Sequence, residues 1–325
     1  VVRSQNLRSR LNRKGRTAAK LVSQDPSLGL LLKVVWGKIS HLPQQRNEGW
    51  LPSIILDDDE SLTGAESLRI AIVAHLHYEE YVDTLLLALE GFPLPYDLFI
   101  SSSKEPLIER SRATFSPPNG KLLAQNVPNR GRNLAPLFVE FGAHLANYDL
   151  VIHVHSKKSL HNDSDYAETW SRELWQYLLS DPHVVRRAIN QFLKDEKIGI
   201  YYPLASVIPL RIFNWAKSET LAKEWSESQN FPHRSGEIPF PAGGMFWFKP
   251  AALQPILDSH FTYSDFPEEK GQIDETLQHA LERLIGTVPL ALGFKHMIYH
   301  VHSNILTTDV SFAGKSFFKR QGKGG

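Results

Sequence analysis

The sequence predicts an α/β fold: a Rossmann-type half-barrel with a mostly parallel central sheet covered by helices. Three observations carry this reading. Residues 68–77 (LRIAIVAHLH) form the near-continuous apolar run of a strand buried on both faces. Residues 79–90 then show helical periodicity, with Tyr81, Leu85, Leu86 and Leu89 on one side. The strand–helix alternation then recurs along the chain, and such alternation favours parallel pairing with crossovers over both faces.

The remaining elements follow in order. Residues 96–102 (YDLFISS) read as a second strand, 106–113 as a short helix and 122–127 (LLAQNV) as a third strand. Residues 134–146 read as a helix and 150–155 (LVIHVH) as a fourth strand. The second half is less regular: helices over 167–179 and 183–194, a strand over 198–203, a helix over 211–226. FPAGGMFWFKP (240–250) reads as a glycine turn entering an aromatic strand, and 272–284 as an amphipathic helix. These elements divide the chain into a basic N-terminal extension with linker (1–66), a folded domain (67–305) and a C-terminal tail (306–325).

Composition narrows the functional classes. The chain has 325 residues, 42% hydrophobic and 10% aromatic, enough for a sizeable core. Net charge is +1, so the whole molecule is no polyelectrolyte. Cysteine is absent, which excludes disulfides and thiolate chemistry. No apolar run reaches the length of a spanning helix and no signal-peptide pattern opens the chain, so a cytoplasmic location is expected. Residues 1–20 carry seven basic side chains and no acid, with Leu7, Leu11, Ala18 and Leu21 at roughly helical spacing. Such a helical extension can lie on an anionic membrane, so peripheral contact with the inner face of the membrane is expected. No aromatic-rich basic motif accompanies it, so nucleic acid is not an expected partner. The run Asp57-Asp58-Asp59-Glu60 reads as a solvated linker rather than a metal site.

Ligands on parallel sheets gather at the carboxyl ends of strands. His75, Ser101, Asn129 and His155 lie at or just after such ends. In Asn129-Arg130-Gly131-Arg132-Asn133 the glycine permits a turn that other residues resist. The arginines can neutralise phosphate bidentately at a helix start. In His153-Val154-His155-Ser156-Lys157-Lys158, alternation puts both histidines on one face. Lys157 and Lys158 then offer point charges to a diphosphate. Gly243 and Gly244 allow close backbone approach, and Trp247 is the aromatic expected against a sugar. Asp274 and Glu275 are expected to open a helix on which His279 and Arg283 share one side. Either carboxylate could serve as a general base.

From about residue 69 to 286 the chain resembles the rhamnan synthesis protein F family of bacterial polysaccharide glycosyltransferases. The matching pieces are IAIVAHLHYEEYVDTLLLAL, NRGRN, YDLVIHVHSKKS, a Trp-x-Arg-x-Leu at Trp170–Leu174, FPAGGMFWFKP and QIDETLQHALER. A looser likeness to family-2 transferases of the GT-A fold aligns His153–His155 with their metal-carrying Asp-x-Asp. It aligns Asp274-Glu275 with their base region. The chain departs from the family's pattern at Asn133, where an Asp is expected, and at Glu275, where a Gly is expected. The resemblance implies a GT-A-like domain that transfers L-rhamnose from dTDP-L-rhamnose to a growing polysaccharide or lipid-linked glycan. On this reading His75, Asn129, Arg130, Arg132, His155, Lys157 and Lys158 hold the donor. Gly243, Gly244, Trp247, His279 and Arg283 face the sugar or acceptor, and Asp274 or Glu275 is the base. Transfer is expected to invert the anomeric centre without a cofactor or metal. Two alternatives stay open: a transferase of the same fold that uses another donor sugar or a metal held by His153, His155 and His300 or His302, and a non-catalytic carbohydrate-binding domain.

Overall fold

A computed structural model describes residues 53–55, 57–156, 164–209, 212–272 and 274–308. The basic arm, the 30–39 stretch, Lys157 and Lys158 lie outside the described residues.

Among the described residues one nine-stranded sheet organises the fold. Its strands are β1 (Ser53–Ile55), β2 (Ile70–His75), β3 (Asp97–Ser102), β4 (Leu122–Asn126), β5 (Leu150–His155), β6 (Ile198–Leu204), β7 (Phe246–Phe248), β8 (Lys295–His300) and β9 (Ile305–Thr308). The spatial order is β1-β9-β8-β6-β7-β5-β2-β3-β4. Strand β2 pairs in parallel with β3 and β5, β3 with β4, and β6 with β8. Short β7 runs antiparallel between β5 and β6, and β9 antiparallel between β8 and β1. All strands except β7 and β9 therefore point the same way. The chain moves outward from β2 to β3 and β4, then returns to place β5 on β2's other side. The switch point between β2 and β5 is where an open α/β sheet opens a ligand crevice.

Helices cover both faces. On one face lie α1 (Glu80–Glu90), α2 (Glu105–Thr114), α4 (Ser164–Trp175) and α5 (Pro182–Lys194). On the other lie α3 (Gly142–Leu145), α6 (Glu219–Ser228), α7 (Gln254–Leu257) and α8 (Leu277–Ala291). Helix α1 buries Tyr81, Val82, Leu85, Ala88 and Leu89, the stripe its spacing dictates, and stops at Gly91. In α5 the Asp181 side chain accepts from the backbone N–H of His183 and Val184, and Pro182 sits in the first turn. Both features start a helix. Alternation along β7 sends Trp247 into one core and Phe246 and Phe248 into the other.

Several boundaries differ from the expectation. The sheet takes in Ser53–Ile55 and Ile305–Thr308, beyond both ends of the expected 67–305 domain. The acidic run is no free linker. Lys194 binds Asp57 at 2.6 Å and Asp59 at 2.9 Å, Arg187 meets Asp58 at 3.2 Å, and His183 meets Glu60 at 2.8 Å. These contacts clip the segment after β1 onto α5. The helix expected over 134–146 is present, but wound as a π-helix over Pro136–Glu140 before α3. The helix expected from 211 begins later, because Trp215 is buried and donates its Nε1–H to the Arg234 carbonyl at 2.6 Å. The helix expected over 272–284 is α8, which starts three residues after Asp274.

Candidate functional site

The carboxyl ends of β2 and β5 meet at His75 and His155, which are register partners. His75 stands with its Nδ1 3.0 Å from the Ser101 hydroxyl at the end of β3. Burial pushes its pKa down to about 3, helped by the charge of His155 and of His77. His153 is fully buried, and its Nδ1–H donates to the Gly244 carbonyl at 2.8 Å. Burial also holds His153 well below the usual histidine range. The two β5 histidines do share a face, with ring centroids 6.1 Å apart. His155 meets the Gly243 carbonyl through Nε2 at 2.7 Å and the Ser156 carbonyl through Nδ1 at 2.9 Å. Carbonyls only accept, and a ring with one proton can donate to only one of them.

The Gly243-Gly244 turn is the hub of this arrangement. Its φ angles, +98° and +69°, are those that favour glycine. A Cβ on Gly243 would lie 3.0 Å from the Trp170 ring, and one on Gly244 would lie 2.9 Å from the Asn133 amide. The turn is held from three elements. The Gly243 N–H donates to Glu282 of α8 at 2.9 Å, the β5 histidines donate to both carbonyls, and Asn133 donates to the Gly244 carbonyl at 3.4 Å. Asn133, where the resemblance led to the expectation of an acid, is thus a buried donor inside the hub.

Asn133 also ties the hub to the Asn-Arg-Gly turn. Gly131 has φ +64°, and a Cβ there would sit 2.5 Å from Ala135 and the Phe266 ring. Arg132 also takes a left-handed φ of +53°. Such a non-glycine conformation costs on the order of 1 kcal/mol. Asn129 is exposed, and its carbonyl accepts from Glu269 N–H at 3.4 Å. Arg130 donates to the Phe266 carbonyl at 2.9 Å and to Glu268 at 3.1 Å. Arg132 donates to the Gln272 carbonyl and, at 3.4 Å, to Glu269. Its Nη1 lies 3.3 Å from His279 Nε2. His279 is buried, with Nδ1 2.6 Å from the Thr276 hydroxyl. Burial first, then Arg132, lowers its pKa to about 4. Its Nε2 therefore accepts from Arg132, and its Nδ1–H donates to Thr276.

Other expected site residues fall elsewhere. Trp247, expected against a sugar, is fully buried. Its Nε1–H donates to the Leu178 carbonyl at 3.0 Å, and its ring packs on Tyr201 and Phe192. The core packed over that face of β7 leaves it no route to a ligand. Arg283 is a rivet: it donates to the carbonyls of Asn214 at 3.0 Å and His279 at 2.9 Å and lies over the Phe240 ring. Asp274 accepts from Lys217 N–H at 3.0 Å, from the Ser218 hydroxyl and from Glu275 N–H at 2.9 Å, with Arg283 3.8 Å away. Burial alone would raise its carboxyl. The bonds from Ser218, Lys217 and Glu275 and the Arg283 charge outweigh that and lower it. Asp274 therefore clamps the start of the 216–228 helical segment. Glu275, with φ +66°, is exposed beside Lys217 at 3.3 Å. His300 turns to Thr307 at 3.1 Å and His302 to the Ser206 carbonyl at 2.8 Å. Among the described residues no group of three His, Asp or Glu side chains is gathered as metal ligands.

The sequence reading missed Glu268, Glu269 and Glu282 as members of this site. Glu282 lies three residues after His279 on α8, and that spacing was the available signal. An opening of about 530 Å³ lies instead at the amino ends of β2 and β5, lined by Arg69, Asp149, Phe192 and Lys249 among others. It holds none of the clustered histidines.

The carboxyl-edge cluster gathers the NRGRN turn, the HVHS strand end, the Gly-Gly turn and the His279–Arg283 helix. The model of one family, rhamnan synthesis protein F, matches residues 30–294. The chain belongs to the rhamnan synthesis protein F family. Two proteins called "Uncharacterized protein WxcX", from two strains of Xanthomonas campestris pv. campestris, are each 30% identical to it over 217 residues. The alignment covers 66% of this chain and 30% of each relative, so the chain matches under a third of their length. Membership of the rhamnan synthesis protein F family points to a role in polysaccharide synthesis. No helix among the described residues is long and apolar enough to cross a membrane.

Proposed function

We propose that the chain is a glycosyltransferase with a GT-A-like domain that moves a sugar from a nucleoside-diphosphate donor to a growing cell-surface polysaccharide. The family points to dTDP-L-rhamnose as that donor. What supports this reading is that the Asn133 end of the Arg130–Arg132 turn and the His155 strand end both meet the Gly243-Gly244 turn, beside the β2–β5 switch point. Arg130, Arg132 and His155, with Lys157 following on the chain, hold the diphosphate. As the acceptor oxygen attacks the anomeric carbon, the bond to the diphosphate oxygen breaks on the opposite face. The arginines meet the charge that develops on the leaving group.

Of the two candidate bases, Glu275 takes the acceptor proton in this reading and Asp274 positions it. The Asp274 carboxyl is engaged by three donors and lowered, whereas Glu275 meets only Lys217 among the described residues. The base need not be buried, because it works on an acceptor arriving from solvent.

A thermal-shift panel of nucleotide sugars tests the donor assignment, since a ligand of the native state raises apparent stability. dTDP-L-rhamnose is expected to raise the melting temperature, and dTDP to do so by the same diphosphate contacts. Both shifts are expected to survive EDTA, because fixed cations take the diphosphate here. A shift abolished by EDTA and restored by manganese would transfer the role to a metal. A flat panel with retained glycan binding would favour a non-catalytic carbohydrate-binding domain.

A further inference from the structure

This inference rests on the diphosphate role proposed for Arg130 and Arg132, and it concerns how that site is kept selective. Each arginine is bonded in two ways. One bond goes to a main-chain carbonyl at an end of the segment 266–272: Arg130 to Phe266 and Arg132 to Gln272. These bonds aim the guanidinium groups. The other bond goes to a carboxylate between those ends. Arg130 meets Glu268 at 3.1 Å and Arg132 meets Glu269 at 3.4 Å. The Glu268 side chain is 62% exposed and is shared with Lys270 at 3.7 Å. Exposed pairs of this kind are weak. A phosphate offers the same fork-matching oxygens with more charge.

The middle of the segment lies outside the core, tied to the Asn-Arg-Gly turn by the Arg130–Glu268 bridge and by the Glu269 N–H on the Asn129 carbonyl. Phe266, at its start, is fully buried. Gly271 has φ +76°, and nothing lies within 4 Å of where its Cβ would be. Between them Glu268 and Lys270 are exposed, and Pro267 and Glu269 are half-buried.

We propose that residues 267–272 are a tethered competitor for the anion site. Glu268 and Glu269 hold the places of two donor phosphates, and the donor binds by displacing them. A carboxylate tethered this closely acts at an effective concentration in the millimolar range. An anion that engages one arginine meets that competition without gain. A diphosphate that engages both displaces the pair and releases Lys270 as a further cation. The strap thereby selects diphosphates over single phosphates.

The test titrates inorganic pyrophosphate and inorganic phosphate into the wild-type chain and three variants, with melting curves to confirm folding. In E268Q/E269Q, pyrophosphate is expected to bind about three- to thirty-fold tighter, and the preference over phosphate is expected to shrink. E66Q/E90Q removes the same charge from exposed acids outside this site, and its affinity is expected to stay within about twofold of wild type. R132Q is expected to weaken binding. Equal affinities in E268Q/E269Q and E66Q/E90Q, with R132Q still weakened, would overturn the strap and leave the donor site standing. No pyrophosphate binding, or binding indifferent to R132Q, would remove the donor site and the strap together.

Discussion

Lowering the pH from 7.5 to 5 is expected to remove roughly 6 kcal/mol of folding stability, through three histidines whose pKa is lowered mainly by removal from solvent. His75 and His296 are pushed down to about 3 and His279 to about 4, in each case mainly by burial. Their folded pKa values lie below the unfolded value of about 6.5. Below pH 6.5 the unfolded chain takes up protons that the folded chain refuses, so stability falls as the pH drops toward 4. Each histidine contributes about 2 kcal/mol of loss by pH 5. His153, held well below the usual range, acts in the same direction. Carboxylates do not account for this window. Asp149, Asp195 and Asp274 are lowered, so their stabilisation persists above the unfolded value of about 3.8 and fades only below it. A loss near 6 kcal/mol is comparable with the whole stability of many domains. Urea unfolding at pH 7.5, 6 and 5 measures it. An unfolding free energy constant to pH 5 would show that the histidines are not held neutral.

Asp274→Asn is expected to cost about 1–3 kcal/mol of stability, as the loss of hydrogen bonds to a charged group does. Both Asp274 oxygens receive backbone N–H groups, from Lys217 on one and Glu275 on the other. Whichever oxygen becomes an amide nitrogen, one N–H faces a donor. Arg283 also loses its nearby charge. Chemical denaturation gives the stability, and turnover of donor and acceptor gives the activity. Glu275→Gln should leave stability within about 0.5 kcal/mol and lower turnover by roughly a hundredfold or more. Asp274→Asn should retain turnover where it remains folded. Loss of turnover in a stable Asp274→Asn protein, with Glu275→Gln active, would reverse the two roles.

The strands that position the site were legible because each is a long apolar run: β2, β3, β5 and β6 lie within a residue or two of their expected bounds. Strands β8 and β9 were not, since KHMIYH and ILTT carry no clean alternation and take their place from partners far along the chain. Helix α8 was expected to end near Leu284 but runs to Ala291, through Gly286 and Pro289. Gly286 is a point of close approach: a Cβ there would meet the Pro239 carbonyl at 1.9 Å. Pro289 lies in the last turns of that helix. At the site, the glycines and same-face histidines could be read from local rules. The pairing of Arg130 and Arg132 with Glu268 and Glu269 could not, because it joins residues 137 or 138 positions apart. Trp247 was misjudged because an aromatic strand reads the same whether its face meets a ligand or a second layer of core.

The most direct test of the account is where a bound diphosphate lies, read from a crystal structure of the chain with dTDP-L-rhamnose. The account places the diphosphate at the carboxyl edge of the sheet, between the Arg130–Arg132 turn and His155, with Glu268 and Glu269 displaced. A diphosphate in the opening at the amino edge, against Arg69 and Lys249, would contradict it.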